Sequence, residues 1–143
     1  MTVKAILAQK GHDVLTLGPD EKLAEAIHKL AAHRVGALVV TNEEGRIVGI
    51  ISERDIVRVM AAHGASALDM GVRDGMTAKV KICHEHHTIT EVMEVMTAGR
   101  FRHLPVEKDG RLDGIISIGD VVKRRIEDAE REAEEIKAYI ATA

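Results

Sequence analysis

Two serine–aspartate pairs at the same spacing, Ser52-x-x-Asp55 and Ser117-x-x-Asp120, are the first residues in this 143-residue chain that could do chemistry. Each follows an apolar run, Gly49-Ile50-Ile51 or Gly114-Ile115-Ile116, at the point where a strand would pass into a helix. A carboxylate placed there can accept hydrogen bonds from both hydroxyls of a vicinal diol such as that of a ribose. The serine adds a hydroxyl beside a first helical turn whose free N–H groups favour anions. The same pattern is also a capping box, which seals a helix start without binding anything. One side chain can serve both roles. Arg100, Arg102 and His103 form a second cluster, and Arg54 lies inside the first S-x-x-D. Guanidinium forks near such a site suit phosphate groups, although arginine is equally an ordinary solvated surface residue.

The run Cys83-His84-Glu85-His86-His87 has the residue types of a metal site but not the geometry. In an extended segment His84 and His86 point one way and Cys83 the other, so a solvated turn is expected and no metal. His12, His28, His33 and His63 are scattered and read as surface histidines. The chain has no G-x-x-x-x-G-K-[ST], no G-x-G-x-x-G after a strand and no G-x-S-x-G. Nothing in the sequence places a base to activate Cys83 as a nucleophile, so no catalytic residue is assigned and no enzyme is expected.

The elements that must position the two pairs come from a repeat. Gly49-Ile50-Ile51-Ser52-Glu53-Arg54-Asp55-Ile56-Val57 returns 65 positions later as Gly114-Ile115-Ile116-Ser117-Ile118-Gly119-Asp120-Val121-Val122. Upstream the match continues at an offset of 66, as in Glu25 with Glu91, Arg34 with Arg100 and Leu38 with Leu104. The one-residue change falls in a turn, Asn42–Gly45 against Lys108–Gly110, where length is easily altered. Two units of about 60 residues are too few for a solenoid and suggest a duplicated motif packed face to face. Each unit reads as an extended run, an amphipathic helix, a β-hairpin and a second helix. In the first these are Val14–Leu17, a helix through Leu23, Ala26, Ile27 and Leu30, strands at Gly36–Thr41 and Arg46–Ser52, and a helix over Glu53–His63. Short helices near Val3–Gln9 and Val72–Met76 precede the units, and Gly64–Asp69 is the joint between them. The expected organisation is residues 1–66, residues 67–126 and a C-terminal helix over 127–143. The fold class is α/β (α+β).

This order of elements, with the hairpins ALVV-TNEEGRIVGIIS and LPV-EKDGRLDGIIS each closed by S-x-x-D, resembles a tandem pair of CBS domains, a Bateman module, over nearly the whole chain. The N-terminal TVKAIL-AQKG with SERD and SIGD is similar to a small stand-alone bacterial subgroup. The resemblance implies two β-α-β-β-α units about a pseudo-twofold axis, with adenosine-containing ligands in two clefts between them. Within that architecture, ribose contact is the preferred reading of Asp55 and Asp120. One cleft would combine Val14, Thr16, Val35, Gly36 and Ala37 with Ile115, Ser117, Gly119 and Asp120. The other would combine Val80, Ile82, Phe101, Arg102 and His103 with Ile50, Ser52, Arg54 and Asp55. Because Gly36 and Ala37 stand where the second unit has Arg102 and His103, the clefts are not equivalent. The implied ligand is an adenine nucleotide: AMP first, with NAD(H), ATP and S-adenosylmethionine also in range. The implied function is regulatory, passed to an unidentified effector protein or through oligomerisation. The competing reading is a structural dimerisation module with vestigial clefts.

Composition narrows the field further. The chain is 45% hydrophobic and 30% charged, which suits a folded globular protein. A net charge of −3 offers no basic field for a nucleic-acid backbone, and Phe101 and Tyr139 are too few aromatics for base stacking. No apolar run is long enough to cross a bilayer and no signal-peptide pattern opens the chain, so a cytoplasmic protein is expected. Ile126, Ala129, Ala133, Ile136 and Ile140 alternate in steps of three and four, a coiled-coil-like seam. A seam this short must dock on something, its own core or a second subunit, and the resemblance to CBS pairs implies the latter, a homodimer.

Overall fold

A computed structural model describes residues 1–142. The elements run α1 (Val3–Lys10), β1 (Thr16–Leu17), α2 (Leu23–His33), β2 (Ala37–Thr41), β3 (Ile47–Ser52) and α3 (Glu53–His63). A 3-10 segment, Gly64–Asp69, leads to α4 (Val72–Gly75), α5 (Ile89–Gly99), β4 (His103–Lys108), β5 (Arg111–Ser117) and α6 (Ile118–Thr142). In the first unit β2 pairs antiparallel with β3, and β1 joins β2 in parallel, Thr16 opposite Val39. The hairpin turn is set by Asn42, whose Oδ1 accepts from the N–H groups of Glu44 and Arg46. In the second unit β4 and β5 pair around Asp109-Gly110, both at positive φ as a tight hairpin turn requires. The strand expected near Val80–Ile82 is reduced to one residue: Cys83 bridges Val106 in parallel, and Val80 and Ile82 lie outside any strand. Helices α2 and α5 both end on a left-handed arginine, Arg34 and Arg100.

The side chains form two cores, and the short helices are exchanged between them. Val3, Ile6 and Leu7 of α1 pack with Ile89, Val92, Met96, Leu104, Val106 and Ile116 of the second unit. Ala67 and Val72, which follow the first unit in sequence, pack with Leu23, Leu38, Val40, Ile51 and Val59 of that unit. The division between residues 66 and 67 is therefore a border in sequence but not in packing. Reciprocal backbone bonds fix the exchange: Val3 N–H donates to His87 O and Ile89 N–H to Met1 O, while Leu23 N–H donates to Met70 O and Val72 N–H to Glu21 O. Each pair satisfies two first-turn N–H groups that a helix cannot satisfy itself.

The repeated glycine of the Gly-Ile-Ile-Ser strand makes room for these helices. A Cβ on Gly114 would lie 2.7 Å from Leu7 Cδ2, and one on Gly49 would meet the Met76 side chain and, at 3.1 Å, the Thr77 carbonyl. The C-terminal segment departs from the expected separate helix. α6 runs unbroken from Ile118, so residues 127–142 continue the second unit's last helix. Only its start is packed on the same chain, through Val121 and through Arg124, which donates to Gln9 Oε1. Ile126, Ala129, Ala133, Ile136 and Ile140 are all exposed.

Gly114→Ala should lower unfolding stability by about 1–3 kcal/mol through overpacking against Leu7. Leu7→Ala alone should cost about 2–5 kcal/mol, and the double variant less than the sum, because the smaller residue vacates the space the new methyl needs. Urea denaturation of the three variants checks this. Strict additivity would place the Gly114 effect elsewhere.

Candidate ligand-binding cleft

A cavity of about 750 Å³ opens where the starts of β2 and β4 face the helix start after β3. Of the residues assigned to the second cleft, Val80, Phe101, Arg102, His103, Ile50, Ser52, Arg54 and Asp55 line it, and Ile82 does not. Gly36 and Ala37, assigned to the first cleft, line this same cavity. The reason is close approach between the units: a Cβ on Gly36 would sit 3.1 Å from His103 Cε1. Sequence reasoning missed Glu53, Thr77, Lys79, Lys81, Gly99 and Ile118, and gave Arg100 only as part of the basic cluster without placing it in a cleft. Lys79-Val80-Lys81 was readable as a basic, extended run, but only the helix exchange makes the segment after α4 a wall of the cleft.

The first S-x-x-D forms a complete capping box. Ser52 Oγ accepts from Asp55 N–H at 3.3 Å, and Asp55 Oδ2 accepts from Ser52 N–H at 3.0 Å. Ser52 Oγ stands a further 3.1 Å from Oδ2. On the other oxygen, Arg58 Nη2 donates at 3.0 Å and Thr77 Oγ1 at 3.2 Å. Asp55 is buried, the one buried polar residue among those described. Its acceptor sites are filled, so a diol can reach this carboxylate only by replacing a bond from Thr77, Arg58 or the Ser52 hydroxyl. Around it the cavity wall is cationic: Arg54, Lys79, Lys81, Arg100 and Arg102 outnumber Glu53 and Asp55. Arg54 is steered across the cavity by a bond from Nη1 to Arg100 O, at 3.1 Å.

The first cleft is arranged differently. Ser117 and Asp120 repeat the reciprocal cap, with Ser117 N–H donating to Oδ2 at 2.9 Å and Asp120 N–H to Ser117 Oγ at 3.1 Å. Lys10 Nζ then donates to the same Oδ2 at 2.6 Å and to Ile115 O at 2.9 Å. Burial pushes the Asp120 carboxyl up, but the bonds from Lys10 and Ser117 and the Lys10 charge together hold it below its ordinary value. Val14, Thr16 and Val35 are half-buried in the first unit, and Gly119 is exposed. His103 sits between the two regions. Burial and then the Lys10 charge lower its pKa, with Arg102 adding to them and Asp120 and Glu53 opposing.

Cys83 faces the second core, and burial pushes its thiol up to about 12. The segment is a turn rather than an extended run, closed by His87 N–H donating to His84 O. It gathers the rings of His84, His86 and His87 at centroid distances of 4.5 to 5.8 Å, so the alternation expected of an extended segment does not hold. His84 Nδ1 lies 2.9 Å from Glu107 O, and His87 Nδ1 accepts from the His84 N–H. Among the described residues no cluster of His, Cys, Asp and Glu is placed to hold a metal ion. No helix among them is long and apolar enough to cross a membrane.

The family model described as "CBS domain" matches twice, at residues 3–62 and 69–127. A crystal structure of the CBS-domain containing protein ATU1752 from Agrobacterium tumefaciens is 52% identical, with a TM-score of 0.83 over 87% of this chain and 92% of that one. The mitochondrial CBS domain-containing protein CBSX3 of Arabidopsis thaliana is 33% identical over 97% of this chain and 71% of its own length. The CBS domain pair of protein MJ0100, solved in complex with 5′-methylthioadenosine and S-adenosyl-L-methionine, is 26% identical with a TM-score of 0.78, over 90% of this chain and 98% of that one. Both matched segments coincide with the repeat, each carries one S-x-x-D, and together they fill most of the chain: the protein belongs to the CBS-domain family, with the domain present in tandem.

Proposed function

We propose that the protein is a regulatory module that takes an adenine nucleotide, AMP or NAD(H), in the cavity between its two units. The observation that carries this reading is the cavity itself: a carboxylate at a helix start, a small-residue strand entry at Gly36-Ala37, and an excess of cations in one enclosure. The base would lie against Gly36, Ala37 and Val80, the ribose hydroxyls would exchange with Thr77 at Asp55, and the phosphates would meet Arg54, Arg102 and the two lysines. The MJ0100 pair, a relative with bound adenosine compounds, supports the ligand class. The cationic wall favours phosphate-bearing ligands over S-adenosylmethionine, whose sulfonium it would repel. The nucleotide would act by favouring one arrangement of the two units over another, since a ligand without such a preference shifts nothing.

The exposed seam of α6 supports a second element of this reading, a homodimer. Lys123, Arg124 and Arg125 lie at one end of the helix, and Glu130, Glu132, Glu134 and Glu135 toward the other. An antiparallel second copy would set these against each other while covering Ile126, Ile136 and Ile140. An alternative is that dimerisation is the whole function and the clefts are vestigial.

Asp55→Ala should weaken AMP or NADH binding, measured by isothermal titration, by about 1.5–3 kcal/mol, or about 10- to 150-fold. Loss of the cap alone should cost about 0.5–2 kcal/mol of stability and leave binding unchanged. Wild-type affinity in Asp55→Ala would sink the ribose assignment.

Raising the salt from about 0.01 to about 1 M, which shortens the Debye length from about 30 to about 3 Å, should weaken AMP binding steeply. S-adenosylmethionine should bind more weakly than AMP at low salt. Equal affinities would place the cations outside the ligand's reach.

Light scattering at micromolar concentration should give a dimer for the wild type and a monomer for Ile136→Glu. A wild-type monomer would remove the α6 pairing.

A further inference from the structure

The geometry points to Lys10 as a latch on the first cleft: its ammonium holds the carboxylate a ribose would need there, so the chain takes one nucleotide in the open cavity and a second only when Lys10 is displaced. The inference rests on the ribose reading of Asp55 proposed above, carried to its repeat counterpart Asp120, and concerns how the cleft at Asp120 is kept shut.

Lys10 is the last residue of α1. That helix is anchored by buried Val3, Ile6 and Leu7 and by the bridge to His87, so the Lys10 backbone is fixed and only its side chain can move. Its ammonium engages two of the four residues the second unit would contribute to the cleft, Ile115 through its carbonyl and Asp120 through its carboxylate. A second fastening lies two residues on, where His12 Nδ1 stands 2.9 Å from Asp113 O and 3.3 Å from Asp113 Oδ1. The bonds at Asp120 also prevail over burial in keeping that carboxyl ionised.

The open cavity provides the internal comparison. There the segment leaving the other short helix, α4, reaches the matching carboxylate with Thr77, whose neutral hydroxyl lies 3.2 Å from Asp55 Oδ1. Thr77 is held by its backbone, donating to and accepting from Ile50 at 2.9 and 3.0 Å, so its hydroxyl is not needed to fasten the segment. A ribose hydroxyl can replace a neutral hydroxyl like for like. Replacing an ammonium on a carboxylate gives up a charge-assisted bond, roughly twice as strong as a neutral one. The Asp55 carboxylate thus keeps, beside the Arg58 guanidinium, a neutral hydroxyl that a ribose can replace, whereas the donor that reaches Asp120 from the short helix is an ammonium.

The test titrates AMP calorimetrically into the wild type, Lys10→Met and Lys10→Arg, and follows the Asp120 carboxyl by carbon-detected NMR against pH in each without ligand. Wild type and Lys10→Arg should bind one AMP per chain, with any second site weaker by at least about tenfold, and Lys10→Met should bind two. The Asp120 midpoint should rise in Lys10→Met and stay low in Lys10→Arg. An unmoved midpoint in Lys10→Met would remove the latch while leaving binding in the open cavity intact. Two equal sites in the wild type, a single site in Lys10→Met, or a site lost in Lys10→Met as for a phosphate contact, would each overturn it. A midpoint that moves in a protein that binds no AMP in any form would instead defeat the nucleotide reading, and the latch on a nucleotide cleft with it.

Discussion

A helix cannot satisfy its own first N–H groups, and this chain meets that constraint by pairing helix starts across its two units. The start of α1 bonds the approach to α5, and the start of α4 bonds the approach to α2, each in both directions. Neither core is complete without the helix it borrows, since Leu7 fills one and Val72 the other. The clefts follow from the same arrangement. Because the borrowed helices end beside the foreign strands, the residues that leave them, Lys10 and Thr77, arrive at the two carboxylates. Backbone hydrogen bonding at one end of two short helices thus decides which side chains surround the site at the other.

The repeat made much of this legible. Hairpins with Gly-containing turns, a helix over Glu53–His63 and the S-x-x-D junctions depend on local periodicity and turn chemistry, and they stand where the sequence puts them. Of the nine residues the sequence assigned to the open cleft all but Ile82 line it, because equivalent residues of two similar units occupy equivalent places, but Gly36 and Ala37 were assigned to the other cleft. What periodicity does not encode is the choice of core. The apolar residues of α1 would serve either unit, and only three-dimensional packing assigns them to the second. Lys10, Lys79 and Lys81 were missed for that reason, lying on segments whose placement follows the exchange. The second unit's first strand was overread for another: Val80 and Ile82 have strand-forming side chains, but only Cys83 reaches the partner strand. The unbroken course of α6 shows that a change from buried to exposed faces need not end a helix.

Duplication has left two carboxylates with the same cap and different neighbours. Asp55 is buried and holds neutral and guanidinium donors beside a cationic enclosure, while Asp120 is half-buried under an ammonium. His103 stands near both, lining the cavity on one side and feeling the Lys10 and Asp120 charges on the other. The inequality read from Gly36-Ala37 against Arg102-His103 is therefore only part of the difference between the clefts. The larger part comes from residues outside the repeat's signature.

The exchange of short helices also sets an order of assembly as the chain leaves the ribosome. The first core has all its parts once α4 has emerged, and can close on what is already made. The second needs α1, synthesised well before it, and β5 and the start of α6, synthesised after everything else in that core. Through that interval Val3, Ile6 and Leu7 have no permanent cover, and their eventual partners lie roughly a hundred residues downstream, a separation that slows closure. The helix that fastens one cleft is thus also the segment most exposed to wrong contacts while the protein is being made.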